Sequence, residues 1–443
     1  MSIDSPTAEL PAAGTATSES AAPTPLDQKL LLVTSSLPGP GNVGALFLGD
    51  LCRGRTGDEI AVFGSLLRPP SEQPSADLDL PTRTVIQRKL GGVVGRTRFD
   101  RAARRHLAFR RQRRSDAEAI AEAIAFGRSE RANAVWAVLN TPQMCRIGPA
   151  IADGLSVPLY STVLDPPEGV AHNLKLDRLS RSITVRDFDA AVAASDRVSV
   201  ISERMQSEYR ERFGDSRPYV VVRHGIAADA FRDPAAHTPD PEAFTIGFGG
   251  SLYDEREWKA LLAGLDRVGW RLDGRPVRIR FAGGHMPKVA TAGPSHVEYL
   301  GWRAMAEVVD LMAGCDVCYL PVWLSPAYVD SARLSFATKL TTYLTAGRPV
   351  LYHGPRDAAV MDFFERYPVA AGCHSRKPEE VAAALERIAS EPFQRDAADA
   401  IRAAVADELN LRVFTERFEQ FVRREPAARL AAPGGAGLTQ QPA

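Results

Sequence analysis

Residues 245–265, TIGFGGSLYDEREWKALLAGL, decide the fold of this 443-residue chain. The stretch opens with a short apolar run typical of a buried strand, passes through Gly249 and Gly250, and continues as an amphipathic helix. Backbone N–H groups gather where a glycine turn leads from a strand into a helix, and such groups bind phosphate. The stretch therefore predicts one strand–helix unit of a parallel sheet with an anion-binding turn.

The same alternation of short apolar runs and longer amphipathic segments fills most of the chain. Apolar runs rich in Val, Ile and Leu predict strands over residues 29–34, 59–64, 134–140, 157–164, 198–202, 219–225, 245–250, 277–284, 297–301, 316–322 and 349–354. Strands that alternate with helices predict parallel sheets covered by helices on both faces. Prolines and acidic residues interrupt the pattern once, over residues 226–241. We therefore predict an α/β protein with two Rossmann-like doubly wound domains.

The domain organisation follows from this single interruption. We predict a disordered tail over 1–27, an N-terminal domain over 28–225, a linker over 226–241, a C-terminal domain over 242–410, a helix over 411–425 that packs back on the N-terminal domain, and a disordered tail over 426–443. Ligands bind at the carboxyl ends of the strands in such sheets. A cleft between the two domains is therefore the expected site.

Composition narrows the class of protein. Lys and Arg number 54 and Asp and Glu number 54, so zero net charge gives no overall attraction to nucleic acid. The chain contains no run of about 18 apolar residues, so the sequence predicts no membrane-spanning helix. The first 27 residues contain neither Lys nor Arg, unlike a secretory signal, and five scattered cysteines favour a reducing compartment. We expect a cytoplasmic protein.

Four landmarks follow one another in the C-terminal half: the turn at Gly249 and Gly250, the strand VEYLG that ends at Gly301, the strand DVCYLP over 316–321, and KLTTYLTAGRPV over 339–350. This series resembles the retaining GT-B glycosyltransferases of family 4. The segments ISERMQSEYRERFG and VRHGIAADAF of the first half are similar to that family as well. The resemblance implies a GT-B fold with two domains facing a central cleft. It also implies transfer from a nucleotide-sugar donor with retention of configuration, without a metal or another cofactor.

The resemblance assigns the donor to the C-terminal domain. Gly249 and Gly250 lack Cβ atoms and allow the backbone to approach the diphosphate. Arg256 occupies the place of a family lysine and is the candidate catalytic cation for the leaving diphosphate, with Lys259 as the alternative. Lys339 opens the helix that the family directs at the donor. The alternative to these donor-binding roles is that the glycines only form a turn and that the cations are solvated surface charges.

Two departures from the family concern the ribose contacts. The positions of its glutamate pair hold Leu334 and Thr342, and Thr342 can offer the ribose a neutral hydrogen bond. Ser335 and other polar residues nearby are candidates to compensate. Trp302, after the strand that ends at Gly301, is a candidate to stack on the base or simply to pack. The identity of base and sugar stays open.

The N-terminal domain is expected to hold the acceptor. The glycine-rich loop SSLPGPGNVG over 35–44 follows the first strand, and Gly41 and Gly44 are its candidate phosphate and acceptor contacts. Where the family has a His–Asp pair, this chain has Leu164 and Asp165, so Asp165 alone carries over as a catalytic candidate. The alternative is that Asp165 only shapes the turn before Pro166.

Two other patterns are weaker. Residues 39–44 match G-x-G-x-x-G, but other residues separate them from the first strand and the next strand ends at Ser65 instead of an acid, which disfavours a dinucleotide-dependent dehydrogenase. Cys315 and Cys318 have C-x-x-C spacing without a second pair. They lie in an apolar strand, which favours core cysteines over a zinc site.

A basic run from Arg88 to Arg114 contains eleven cations and one anion, Asp100. Apolar residues are interleaved with the charges. The run predicts peripheral contact with anionic lipid at the inner face of the membrane, or with a phosphorylated lipid acceptor. No nucleic-acid-binding motif accompanies it.

Together these observations predict a glycosyltransferase that moves a sugar to a glycan, lipid or small-molecule acceptor. Two alternatives remain. One is a GT-B-shaped binding or scaffold protein without catalysis, which the missing glutamates favour, and the other is a nucleotide-sugar epimerase. Donor hydrolysis separates the first alternative from an enzyme, because a binder shows affinity without turnover.

Overall fold

The computed structural model describes residues 23–40, 43–67, 78–87, 98–285 and 296–423, without the side chains of residues 98, 99, 101, 102 and 105. Its strands form two sheets whose neighbouring strands run parallel. The first sheet contains β1 (Leu30–Thr34), β2 (Ile60–Leu66), β3 (Thr82–Ile86), β4 (Ala134–Val138), β5 (Leu159–Thr162), β6 (Arg197–Val200) and β7 (Tyr219–Val221). Its order is β3-β2-β1-β4-β5-β6-β7.

The second sheet repeats this arrangement. It contains β8 (Phe244–Gly249), β10 (Arg275–Ala282), β11 (Val297–Gly301), β12 (Val317–Pro321), β13 (Val350–His353) and β14 (Ala370–Cys373), while β9 (Arg271–Leu272) pairs antiparallel with β10. Its order is β11-β10-β8-β12-β13-β14. In each sheet the strand order reverses beside the first strand, where ligands bind in such folds. The predicted α/β class with two doubly wound sheets is confirmed.

Helices flank both sheets. In the first half they are α1 (Val43–Cys52), α2 (Arg98–Arg114), α3 (Asp116–Ser129), α4 (Pro142–Leu155), α5 (Pro167–Asn173), α6 (Arg178–Ala194) and α7 (Glu203–Phe213). In the second half they are α8 (Glu255–Arg267), α9 (Met305–Ala313), α10 (Val329–Leu334), α11 (Thr338–Thr345), α12 (Ala359–Arg366), α13 (Pro378–Ala389), α14 (Glu391–Asp407) and α15 (Leu411–Val422). None of the described helices is both long enough and apolar enough to cross a bilayer.

Helix α8 shows how the local sequence produces these elements. The Asp254 side chain caps the helix by accepting a hydrogen bond from the Arg256 backbone N–H at 2.9 Å. Trp258, Leu261 and Leu265 follow at helical spacing and are fully buried against the second sheet. The helix therefore begins at a fixed point just beyond the glycine turn, which positions its N-terminus at the cleft.

The chain crosses between its halves at two points that touch. The Ile226 N–H donates to the Leu409 carbonyl at 2.8 Å, and the Leu411 N–H donates to the Ile226 carbonyl at 3.2 Å. A Cβ atom on Gly225 would lie 2.5 Å from the Asn410 carbonyl oxygen, so only glycine fits there. The first crossing thus lies at Ile226 and the second at residues 409–411, and the predicted bounds of the linker and of the domains stay a prediction.

After the second crossing, α15 covers the first sheet. Phe414, Phe418 and Phe421 are buried in the same cluster as Trp136, and the rings of Trp136 and Phe418 lie 4.7 Å apart. Within the predicted N-terminal tail, the Thr24 N–H donates to Glu419 on α15 at 2.9 Å. Helix α15, which follows the second half in the sequence, thus contributes to the core of the first half.

Candidate active site

A cavity of about 430 Å³ lies between the two halves. Segments at the carboxyl ends of strands from both sheets line it together with the start of α1. Its lining includes Gly44 and Phe47 on α1, Asp165 after β5, Tyr253 after β8, Trp323 after β12 and Ser335 before α11. The cavity therefore occupies the position where two facing parallel sheets bind ligands.

The glycine turn after β8 is sterically required. Gly250 has a φ of +103°, and a Cβ atom there would lie 3.2 Å from the Lys339 Cε atom. A Cβ atom on Gly249 would lie 2.7 Å from Val308, and the Gly249 N–H donates to the Tyr343 hydroxyl at 3.2 Å. The Gly250 N–H donates to the Ala282 carbonyl at 2.8 Å, so both glycine N–H groups have partners. The turn thus brings the backbone of Gly250, without a side chain, directly beside Lys339.

Lys339 is a half-buried cation on the first turn of α11. Its ammonium lies 3.5 Å from the centre of the Tyr253 ring and 6.0 Å from that of Phe248. No hydrogen bond or ion pair links it to any other described residue. Burial lowers the pKa of Lys339 to about 7, because nothing compensates the lost hydration. An anion bound at the turn would restore the charged form.

Arg256 lies outside the residues that line the cavity, as do the other donor-site candidates Gly249, Gly250, Trp302, Lys339 and Thr342. Its guanidinium forms an ion pair with the helix-capping Asp254 at 2.6 Å, and its side chain is 54% exposed. The hydrogen bond that the Arg256 guanidinium donates to Asp254 raises the pKa of Arg256. Its part in catalysis stays a prediction.

Trp302 and Thr342 flank the same end of the second sheet. Trp302 is 72% exposed and follows Gly301, whose φ is +71°. Thr342 lies in the middle of α11, and its hydroxyl contacts the Met305 sulfur at 3.7 Å. Gly283 donates to the Gly301 carbonyl at 2.9 Å, so backbone forms this end of the sheet. An exposed ring beside bare backbone suits a nucleotide base, and these assignments too stay predictions.

Asp165 joins the two halves across the cavity. Its carboxylate accepts a hydrogen bond from the Ser335 hydroxyl at 2.8 Å. Desolvation by the surrounding protein raises the pKa of Asp165, and the Ser335 hydrogen bond opposes that rise. Of the two loop glycines, Gly44 lines the cavity and Gly41 lies outside the described residues.

The sequence analysis missed a second pair of polar side chains at the cavity. His224, three residues after β7, contacts the Asp50 carboxylate of α1 through Nε2 at 2.6 Å, and His224 lines the cavity. The neighbouring Arg223 forms ion pairs with Glu203 and Glu408, so its charge is already balanced. A histidine at a strand end, in VRHG, was the only local signal for this pair.

Glu257 is the other missed residue. It is 1% exposed, and its carboxylate accepts hydrogen bonds from Arg376 at 2.6 Å and from the Leu324 N–H at 3.1 Å. These bonds tie α8 to the loop after β12 that carries Trp323. Glu257 therefore positions one wall of the cavity. Among the described residues no group of three His, Cys, Asp or Glu side chains could hold a metal ion.

Part of the basic run is described, on α2. Arg104 pairs with Asp100 at 2.7 Å and Arg113 pairs with Asp187 at 2.6 Å. Three exposed arginines of the helix, Arg110, Arg111 and Arg114, have no ion pair with any described residue. Arg88, Lys89 and Arg96 lie outside the described residues, and the side chains of Arg98, Arg101 and Arg105 are not described.

The weaker patterns are resolved in part. Cys315 and Cys318 are buried, free cysteines, as expected for core residues. At the end of β2, Ser65 is buried and its hydroxyl donates to Gln143 at 2.9 Å. That position therefore offers no carboxylate for a dinucleotide ribose.

Comparisons with known proteins agree with this architecture. No protein-family model matches the chain, and no curated protein matches it in sequence. Among solved structures, HepE from Anabaena, in complex with UDP and glucose, superposes with a TM-score of 0.60 at 14% identity and covers 88% of this chain and 98% of its own.

Two further solved structures have the same fold. The UDP-forming α,α-trehalose-phosphate synthase from Burkholderia xenovorans, bound to glucose 6-phosphate, has a TM-score of 0.61 at 12% identity and covers 89% and 100%. Sucrose-phosphate synthase from Thermosynechococcus elongatus has a TM-score of 0.59 at 13% identity and covers 89% and 98%. The chain thus has the GT-B fold, with two Rossmann-like domains.

Proposed function

We propose that this protein is a glycosyltransferase that transfers a sugar from a nucleotide-sugar donor to an acceptor hydroxyl. The observation that carries the proposal is Lys339, a half-buried ammonium without an anionic partner among the described residues, placed against the turn at Gly249 and Gly250. A diphosphate supplies the missing negative charge and accepts a charge-assisted hydrogen bond from the lysine. The solved structure of HepE is a complex with UDP and glucose, and that of trehalose-phosphate synthase is a complex with glucose 6-phosphate. These ligands support the same ligand class for this protein.

The reaction uses the cavity as follows. The bond between the anomeric carbon and the diphosphate oxygen breaks, and its electron pair stays on the diphosphate, where Lys339 stabilises the growing charge. The acceptor oxygen bonds to the anomeric carbon, and its proton passes to the departing diphosphate. Asp165 accepts a hydrogen bond from a substrate hydroxyl and orients it. This course retains configuration and needs no metal.

Four further residues complete the proposed donor site. Trp302 stacks on the base and Thr342 bonds a ribose hydroxyl. Arg256 adds a second cation near the diphosphate when it exchanges its contact with Asp254 for the donor. On the acceptor side, Gly44 and Gly41 allow the loop before α1 to approach the substrates.

A thermal-shift screen against nucleoside diphosphates and their sugar conjugates tests the donor class. Ligand at a hundredfold its Kd should raise the free energy of unfolding by about 2.7 kcal/mol. If no nucleotide changes the melting temperature, the donor proposal fails. An assay of donor hydrolysis then distinguishes an enzyme from a binding protein, because a binding protein would show affinity without turnover. Leu334 and Thr342 at the positions of the family's glutamate pair favour the binding protein.

We also propose that the exposed cations of α2 bring the protein to anionic membrane at the inner face. Arg110, Arg111 and Arg114 are exposed, and Leu107 beside them is 49% exposed. Basic residues near an anionic surface contribute about 1 kcal/mol each. Vesicle flotation should therefore depend on anionic lipid and be lost when these three arginines become glutamate, whereas Arg395→Glu should float as wild type. Equal flotation with neutral vesicles would contradict the proposal.

A further inference from the structure

Three aromatic side chains on the second half form a continuous stack along the cavity. The rings of Tyr253 and Trp323 lie 4.3 Å apart at 21°, and those of Trp323 and Tyr328 lie 4.9 Å apart at 9°. His172 of α5 closes the far end against Tyr328 at 4.3 Å. We call Tyr253, Trp323 and Tyr328 the aromatic stack, and all three line the cavity.

The stack presents ring edges to the cavity, because its neighbours cover its faces. Trp323 has Tyr253 on one face and Tyr328 on the other, and Lys339 covers the free face of Tyr253. Aromatic edges carry partial positive charge and attract the negative face of another aromatic ring. The positively polarised C–H groups of a sugar ring pack instead on aromatic faces, and here those faces are occupied.

The remaining walls of the cavity are largely apolar. They come from both halves and include Phe47, Leu164, Ile201, Leu252, Val322 and Phe336. Among the polar side chains of the lining, Ser335 donates to Asp165 and His224 is bonded to Asp50. The other uncharged polar side chains of the lining are those of Asn173, Ser331, Thr338 and Thr341. A hydroxyl buried against the apolar side chains without a partner would weaken binding, so the apolar part of the lining favours an acceptor with few hydroxyls.

The two ends of the aromatic stack have different neighbours. Lys339, the proposed diphosphate cation, lies at its Tyr253 end, and Tyr328 lies at the other. On the basis of the proposed function, we infer that the acceptor is a hydroxyl-bearing aromatic compound whose ring face rests on the edges of Trp323 and Tyr328. Its phenolic oxygen forms the new bond to the anomeric carbon, and its proton leaves with the nucleoside diphosphate.

Isothermal titration in the presence of a saturating nucleoside diphosphate tests this inference with three probes. They are 2-naphthol, its saturated counterpart decahydro-2-naphthol, and glucose 6-phosphate. The first two have the same ring skeleton and one hydroxyl but differ in aromatic character. We expect 2-naphthol to bind about tenfold more tightly than decahydro-2-naphthol, a difference of 1.4 kcal/mol, and glucose 6-phosphate not to compete with it. Equal binding of the two ring alcohols, or competition by glucose 6-phosphate, would overturn the inference.

Substitutions at the stack provide the second arm. Trp323→Leu should weaken 2-naphthol at least about tenfold and Trp323→Phe less, because phenylalanine retains an aromatic edge. Trp270→Leu is the matched control, since Trp270 stacks on His296 outside the cavity lining. Unchanged 2-naphthol affinity in Trp323→Leu refutes the assignment, and if that variant does not fold, the comparison of probes on the wild type decides. Nucleoside diphosphate binding without 2-naphthol binding refutes this inference alone, whereas loss of both refutes the proposed function.

Discussion

Lys339→Met should make the protein more stable and its nucleotide binding weaker. The pKa of Lys339 is lowered from 10.5 to about 7 by burial, so the unfolded chain holds a proton that the folded protein holds weakly. Between pH 7 and 10.5 the unfolded state binds more protons, and stability therefore rises with pH across this window. Removing the buried charge should raise the free energy of unfolding at pH 7 by about 1–3 kcal/mol. That gain should shrink as the pH rises through 10.5, because above that pH wild-type Lys339 is neutral in both states.

Nucleotide affinity should move in the opposite direction. A hydrogen bond to a charged group contributes about 1.5–3 kcal/mol, so Lys339→Met should weaken nucleoside diphosphate binding by roughly 10- to 150-fold. In the wild type, affinity should fall as pH rises above 7, because binding then requires protonation of the lysine. Lys339→Arg should bind with little dependence on pH, since arginine stays charged.

Urea unfolding at pH 7 and pH 10, together with nucleotide titration calorimetry, measures both effects. Lys377→Met is the matched control, because Lys377 is an exposed lysine just before α13 and lies outside the cavity lining. We expect that control to match the wild type in both assays. A less stable Lys339→Met protein with wild-type nucleotide affinity would refute the reasoning.

Three further substitutions test the remaining walls of the site. Gly250→Ala should lower the free energy of unfolding by about 1–3 kcal/mol in urea, because φ is +103° and the new Cβ meets Lys339; an unchanged value would contradict the steric argument. Trp302→Ala should weaken nucleotide binding roughly 5- to 10-fold in calorimetry while leaving the melting temperature unchanged, since its side chain is 72% exposed. Asp165→Asn should lower kcat roughly 10- to 100-fold with the donor Kd unchanged, and wild-type turnover would exclude its role.

The sequence predicted the elements that carry strong local signals. Parallel strands buried on both faces appear as apolar runs, which identified β8 and its neighbours. The edge strands β3 and β14 were missed, because TRTVI is only partly buried and AAGC consists of small residues. Tertiary pairing defines these strands more than composition does.

The site residues that belong to local sequence motifs could likewise be predicted, whereas those brought together only by the tertiary structure could not. Gly249, Gly250 and Lys339 belong to ordered motifs and lie together at the end of β8, and their role in donor binding stays a prediction. His224 and Asp50 are 174 residues apart, and no local pattern relates them. The aromatic stack also depends on loop conformations after two different strands, which spacing along the chain does not encode.

Acceptor-dependent release of nucleoside diphosphate from a panel of nucleotide-sugars tests the central claim most directly. We predict release from one donor class by the wild type, near-complete loss in Lys339→Met, and wild-type release by Lys377→Met. Tight nucleotide binding without release from any donor, with 2-naphthol or glucose 6-phosphate as acceptor, would contradict glycosyl transfer and identify a GT-B-shaped binding protein.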